Sequence, residues 1–214
     1  LEEMSRAAGG PTLLTLAERD RDLVANWKTI ASTHALLNQV SKSKPIGLAV
    51  EEGDFLELPE ERWLTRTPLA VASNLPYSAG TAILTRLARH PDKIPVMVLM
   101  FQAEVAARLR AEPDTKSWGS LSIWIQNQWD VRKLCAVPPG AFQPPPDVQS
   151  EVVVLTRRQQ PWVNVPEGCD EKWEGLLKAC FAHRRKMLRS CLPAGGTHKK
   201  ALEASGIEPT LRAE

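Results

Sequence analysis

Short apolar runs rich in branched residues alternate along this chain with stretches whose apolar residues recur every three to four positions. The strands predicted this way are Leu13 to Glu18, Leu48 to Asp54, Leu69 to Leu75 and Pro95 to Phe101. Their near-continuous apolar character suits parallel strands covered on both faces. Between them, Asp20 to Ala31 sets Leu23, Val24, Trp27 and Ile30 on one helical face, and Ser78 to His90 does the same with Ile83, Leu84 and Leu87. The alternation predicts an α/β fold with crossover helices on a mainly parallel sheet. Glu104 to Ala111 and Ser120 to Trp129 read as further helices, although Ile123 and Ile125 in the second also fit a strand.

The rhythm changes after residue 130. Val131 to Val137 and Glu151 to Thr156 read as two strands around a proline-rich loop, Pro138 to Pro146, as expected of an antiparallel pair closing a sheet edge. Gln159 to Gly168 carries two prolines and reads as a linker, so a domain boundary is placed near residue 160. Beyond it only short helical patterns follow. The first eight residues, Leu1 to Ala8, read as a helix already under way, and Thr210 to Glu214 as one in progress. Both ends are therefore expected to be cut from a longer sequence.

Composition narrows the function classes without naming one. With 43% apolar and 24% charged residues, the chain has a globular balance and not that of a disordered or fibrous sequence. No apolar run approaches the roughly 18 residues of a membrane span, and the N-terminus lacks a signal pattern, so a cytoplasmic protein is expected. Cys135, Cys169, Cys180 and Cys191 form no CxxC pair and lack histidines at zinc spacing, which predicts reduced thiols and no metal. A net charge of +2 says little about partners, but its distribution does. From His183 to Lys200 the chain carries Arg184, Arg185, Lys186, Arg189, Lys199 and Lys200 with no acid among them.

The sharpest chemical feature is Asn74-Leu75-Pro76-Tyr77, where a predicted strand gives way to a helix. Ligands of open α/β sheets gather at the carboxyl ends of strands. An exocyclic aromatic amine is a poor nucleophile because its lone pair is delocalised into the ring. Two acceptors aimed at its N–H groups, the Asn74 side-chain oxygen and the Leu75 carbonyl, would localise that pair. Pro76 has a fixed φ and no donor, which stiffens the turn, and Tyr77 would stack on the base. The same residues also fit a plain strand-to-helix turn with Asn74 as helix cap and Tyr77 in the core.

Asn74 to Tyr77 (NLPY), Phe101 to Leu109 (FQAEVAARL), Gly119 to Ser122 (GSLS) and Phe142 to Ser150 (FQPPPDVQS) resemble, in order, the motifs of the ribosomal RNA adenine N6-dimethyltransferases. The small-subunit branch of that family is the most similar, and the resemblance runs from about Leu13 to the end. It implies a Rossmann-like class I methyltransferase sheet with helices on both faces, spanning 1–160, and a small all-helical C-terminal domain over 161–214. It also implies S-adenosylmethionine as methyl donor, with Glu18 on the ribose hydroxyls, Asp54 on the adenine amine, and Phe55 and Asn74 beside them. Asn74, Leu75, Pro76 and Tyr77 would receive the target base, with Phe142 stacking opposite Tyr77. Gln102 and Glu104 are assigned to structure near the site, and Lys116, Trp118 and Gly119 to a loop within reach of RNA.

The run Phe181 to Arg189 resembles the family's basic helix, which makes Arg184, Arg185, Lys186 and Arg189 the RNA-binding candidates. The bland reading of such a run is a solvated helix face. In one respect the chain departs from the family: the glycine-rich loop that wraps the cofactor's methionine is absent, and Gly9-Gly10 precedes a strand instead of following one. That loop is expected just before Leu1. The function so implied is dimethylation of adenosines in small-subunit ribosomal RNA by a monomer acting on a pre-30S-type particle, without membrane or metal. Two alternatives stay open: a ribosome-assembly or nucleic-acid-binding factor on the same fold, and a large-subunit methyltransferase conferring antibiotic resistance.

Overall fold

The computed structural model describes residues 12–40, 46–64, 66–192 and 196–214. The helix expected over Leu1 to Ala8, and Gly9-Gly10, lie outside the described residues. The chain divides into two compact units, Leu1–Thr67 and Pro68–Glu214.

The first unit contains strand β1 (Thr12–Glu18), helix α1 (Arg21–Val40), strand β2 (Ile46–Glu52) and a single helical turn, α2 (Glu60–Trp63). β1 and β2 pair in parallel, with Glu18 opposite Glu52 at their carboxyl ends. The Asp20 carboxylate accepts the amides of Asp22 (2.9 Å) and Leu23 (3.3 Å), which satisfies two otherwise orphaned donors where α1 begins. α1 runs nine residues past the expected end at Ala31. The hydroxyls of Thr29, Ser32 and Thr33, residue types that elsewhere favour turns, bond back to carbonyls of Ala25, Lys28 and Thr29 inside the helix. Lys28 reaches across to Glu52 at 2.9 Å, and that hydrogen bond, with the accompanying charge, holds the Glu52 carboxyl below the usual range.

The second unit is built on a four-stranded sheet in the order β3 (Ala70–Asn74), β4 (Val96–Gln102), β6 (Ser150–Arg157), β5 (Trp129–Val137). β3 and β4 are parallel, and β6 enters antiparallel between β4 and β5, as the proline-rich loop predicted. Met97, Leu99 and Phe101 alternate as the buried positions of β4, while Val153, Val154 and Leu155 bury β6. Helix α3 (Gly80–Ala88) covers the sheet with Ile83, Leu84 and Leu87. Burying three such side chains contributes on the order of 5 kcal/mol or more of transfer free energy. α4 (Ala103–Leu109) and α5 (Ser120–Gln126) follow.

The helix expected over Ser120 to Trp129 stops at Gln126. Trp129 belongs to β5, fully buried and paired with Arg157, and its indole donates to the Ala88 carbonyl at 3.3 Å. Between them the buried Asn127 uses both ends of its amide on the linker: it donates to the Val163 carbonyl (3.1 Å) and accepts the Val163 amide (2.8 Å). Arg158 lies 4.7 Å over the Trp162 ring. The linker is thus irregular yet pinned.

The terminal helices are α6 (Asp170–Ala182), α7 (Leu188–Cys191) and α8 (Gly196–Ala204). The expectation of one basic helix from Phe181 to Arg189 is corrected. α6 ends at Ala182, His183 leaves helical space (φ −131, ψ 64), and Arg184, Arg185 and Lys186 occupy a turn before α7. Nor are Thr210 to Glu214 helical. Pro209 lacks the amide a helix needs, and the segment runs back along the turn: its Leu211 and Pro209 carbonyls accept the Leu188 and Arg189 amides, and Arg212 bridges Met187. Among the described residues, no helix is long and apolar enough to cross a membrane.

Candidate active site

In the first unit, the carboxyl ends of two adjacent parallel strands bring Glu18 and Asp54 together. The Gly53 amide donates to the Glu18 carbonyl at 2.9 Å, and Arg19 approaches Asp54 at 3.5 Å. Gly53 holds φ at 145°, a region that favours glycine, and an added Cβ would stand 3.2 Å from the Leu58 side chain. This bend ends β2 at Glu52 and turns Asp54 into the following loop. One oxygen of Glu18 accepts the amides of Arg19 (2.8 Å) and Asp20 (2.9 Å), which orients the carboxylate. Its second oxygen carries no hydrogen bond among the described residues. Asp54 likewise takes the Leu56 amide on one oxygen at 2.9 Å. Phe55 rests against the buried Trp63, ring centroids 5.0 Å apart. Such a set of acceptors, with oriented carboxylates at strand ends and an aromatic ring beside them, fits a nucleoside that donates from ribose hydroxyls and an exocyclic amine.

In the second unit, one end of the sheet gathers the remaining motifs. Asn74 ends β3, Gln102 ends β4, and Ser150 begins β6 directly opposite both Gln102 and Val137. The Ala103 amide donates to the Gln149 carbonyl at 2.8 Å. The loop carrying Phe142 therefore leaves and returns at this same edge, with a short 3-10 turn at Pro139–Ala141 and a cis Gln143–Pro144 bond; Phe142 is half-buried.

Asn74 to Tyr77 do lead from strand to helix, but not as cap and core residue. α3 is capped at Ala79 and not at Asn74, and Tyr77 is 40% exposed and not core. Leu75 is buried, Asn74 exposed, and neither the Asn74 amide nor the Leu75 carbonyl is spent on a hydrogen bond among the described residues. Two acceptors thus stand unused beside an aromatic ring. The Tyr77 hydroxyl meets the Ser150 hydroxyl at 2.6 Å.

Ser150 was visible in sequence only as the last letter of a motif. Its neighbour Glu151 was missed as well: this buried carboxylate is bonded by Arg110 and lies 2.7 Å from Lys133, so it ties β6 to β5 and to the end of α4. Nothing in the local pattern separates such an acid from a solvated strand end.

The basic candidates divide. Arg184 donates to the carbonyls of Lys116 and Thr115, each at 2.5 Å, and pairs with Glu214 at 3.1 Å. It brings the Lys116 loop beside the basic turn. Arg185, Lys186 and Arg189 are exposed, and their side chains make no ion pair among the described residues. No group of three or more His, Cys, Asp or Glu among the described residues is placed to hold a metal ion.

Solved structures share this architecture. A dimethyladenosine transferase from Plasmodium falciparum superposes with a TM-score of 0.67 at 21% identity, over 97% of this chain and 80% of that one. The 23S rRNA methyltransferase ErmE gives 0.61 at 19%, over 98% and 90%. The fold is thus that of the α/β methyltransferases. In sequence, a family described as Ribosomal RNA adenine dimethylase matches residues 13–213. Two relatives, each called Ribosomal RNA small subunit methyltransferase A, are 37% identical: that of Syntrophotalea carbinolica over 96% of this chain and 78% of its own, and that of Rhodospirillum rubrum over 99% and 72%. The chain belongs to the ribosomal RNA adenine dimethylase family, a family of methyltransferases, as its motifs had implied.

Proposed function

We propose that this protein transfers methyl groups from S-adenosylmethionine to N6 of adenosines in small-subunit ribosomal RNA, twice per adenosine. The observation that carries the reading is the pair of unspent acceptors, Asn74 and Leu75, beside the half-exposed ring of Tyr77 at the carboxyl end of β3. When bound, S-adenosylmethionine supplies an electrophilic methyl group. Glu18 would hold its ribose and Asp54 its adenine amine, with Phe55 beside them, and the family's motif assigns Asn74 to the cofactor as well. The Asn74 oxygen and Leu75 carbonyl accept the two N–H bonds of the target amine and localise its lone pair, so the protein's contribution is mainly orientation. Tyr77 and Phe142 stack on the base, a contact worth about 1–3 kcal/mol per base in single-strand recognition. The adenosine must leave its stack to enter, which favours a loop or single strand.

We further assign residues 1–160 to methyl transfer and 161–214 to RNA binding, with Arg185, Lys186 and Arg189 meeting phosphates and Arg184 shaping their turn. The chain works as a monomer in the cytoplasm on a pre-30S-type particle. The small-subunit names of its relatives support that choice over large-subunit RNA.

Transfer of labelled methyl to undermethylated small subunits tests the reading. Asn74→Ala is expected to lower turnover at least about a hundredfold while leaving RNA affinity within about twofold. Unchanged turnover removes the proposed role. Binding to particles without any methyl transfer, in this chain and in one extended upstream of Leu1, favours an assembly factor instead.

A further inference from the structure

We propose that Ser150 is a positioning residue for methyl transfer, acting through the hydroxyl of Tyr77. The inference rests on reading Asn74 to Tyr77 as the base-receiving turn. Ser150 is fully buried, and its backbone is fixed on both sides, by Gln102 of β4 and by Val137 of β5. A buried serine ordinarily satisfies its hydroxyl on the backbone, as Ser122 does here: it donates to the Arg108 carbonyl at 2.6 Å and accepts the Gly119 amide at 3.1 Å. Ser150 instead meets the hydroxyl of a tyrosine that is 40% exposed, at 2.6 Å. Water could satisfy Tyr77 at such exposure. The bond is therefore not required to avoid an orphaned group, and its effect is on orientation.

That effect follows from where the ring is held. Pro76 restricts the backbone just before Tyr77, but the side chain still has two torsions free. Tying the far end of the ring to a buried point fixes the first torsion; the hydroxyl oxygen lies on the axis of the second, which the bond restrains only through the preference of the phenol O–H for the ring plane. The same residue closes the loop that carries Phe142, since Val137 and Ser150 are paired where that loop begins and ends. Ser150 thus sets Tyr77 relative to the base of the Phe142 loop. Orientation should matter most in the second transfer, when the bulkier monomethylated amine keeps one N–H and can engage only one of the two acceptors.

Three variants test this: Ser150→Ala, Tyr77→Phe and the double variant, with Asn74→Ala as reference. Each single change removes the same hydrogen bond while keeping the ring. Both are expected to lower kcat by about tenfold with KM for the RNA substrate changed less than about twofold. The double variant should lose no more than either single, because one shared interaction is lost. Monomethyladenosine should accumulate relative to dimethyladenosine in all three. Full activity of Tyr77→Phe, or additive losses, overturns the proposal, as does a loss in Ser150→Ala that Tyr77→Phe does not share. If Asn74→Ala is inactive while the hydroxyl variants match the parent, this inference alone falls. If Asn74→Ala is fully active, the base-receiving turn falls with it.

Discussion

At the scale of single residues, neighbouring cations of the same motif have different work. Arg184 spends its planar fork on two loop carbonyls and on Glu214, a geometry that a lysine ammonium cannot reproduce. Arg184→Lys is therefore expected to destabilise the fold by about 1–3 kcal/mol, read as a lower thermal midpoint. Arg185→Ala should leave the midpoint unchanged and weaken RNA binding, with the slope of log affinity against log salt reduced by about one. Equal behaviour of the two variants would reject the division. The distinction was not legible in sequence. Phe181 to Arg189 holds no glycine or proline to mark a break, so its spacing reads as one helix. What breaks it is remote: the Thr115 and Lys116 carbonyls and the strand-like return of Pro209 to Arg212. The placement of Asn74 and Tyr77, by contrast, was legible because the local pattern shows the strand end at which they stand.

At the scale of elements, all six strands were read from apolar runs to within two residues at each end, since short runs of branched apolar residues suit a strand and are bounded here by turn residues. The end of the helix before β5 was misplaced, at Trp129 instead of Gln126, because the helical pattern does not show where it stops, and long-range pairing of Trp129 with Arg157 decides for the strand. Glu151 shows what the period cannot carry: a charge among buried valines, tolerated because Arg110 and Lys133 converge on it. Glu151→Ala is expected to cost about 2 kcal/mol in urea unfolding with an unchanged m-value; the partners' partial exposure keeps the figure modest. Helix α6 depends on charge in another way. Lys178 hydrogen-bonds Glu174, and Arg89, just past the end of α3, lies 3.2 Å from it; together they hold its carboxyl below the usual range against the opposing effect of partial burial. A depressed carboxylate contributes stability above its ordinary value and loses it as pH falls through the lowered one. The thermal midpoint should therefore drop through the acid range below about pH 4.5, and Glu174→Gln should flatten that part of the profile.

For the whole molecule, the two compact units divide the proposed work, with Glu18, Asp54 and Phe55 in the first and the base-receiving turn in the second. Ligand binding to the folded chain stabilises it by mass action, about 2.7 kcal/mol at a hundredfold excess over Kd. S-adenosylmethionine should accordingly raise the thermal midpoint of the parent protein, and Glu18→Ala should lose most of that shift while Tyr77→Phe keeps it. A shift lost equally in both would place the cofactor elsewhere. Tyr77 offers one more consequence, because it is the single tyrosine of the chain. Biosynthetic replacement of tyrosine by a monofluorinated analogue would put one fluorine nucleus in these 214 residues, and put it on the ring that Ser150 meets. A single resonance would then report, without any mutation, when that ring is gripped, when it is released, and when a base slides over it.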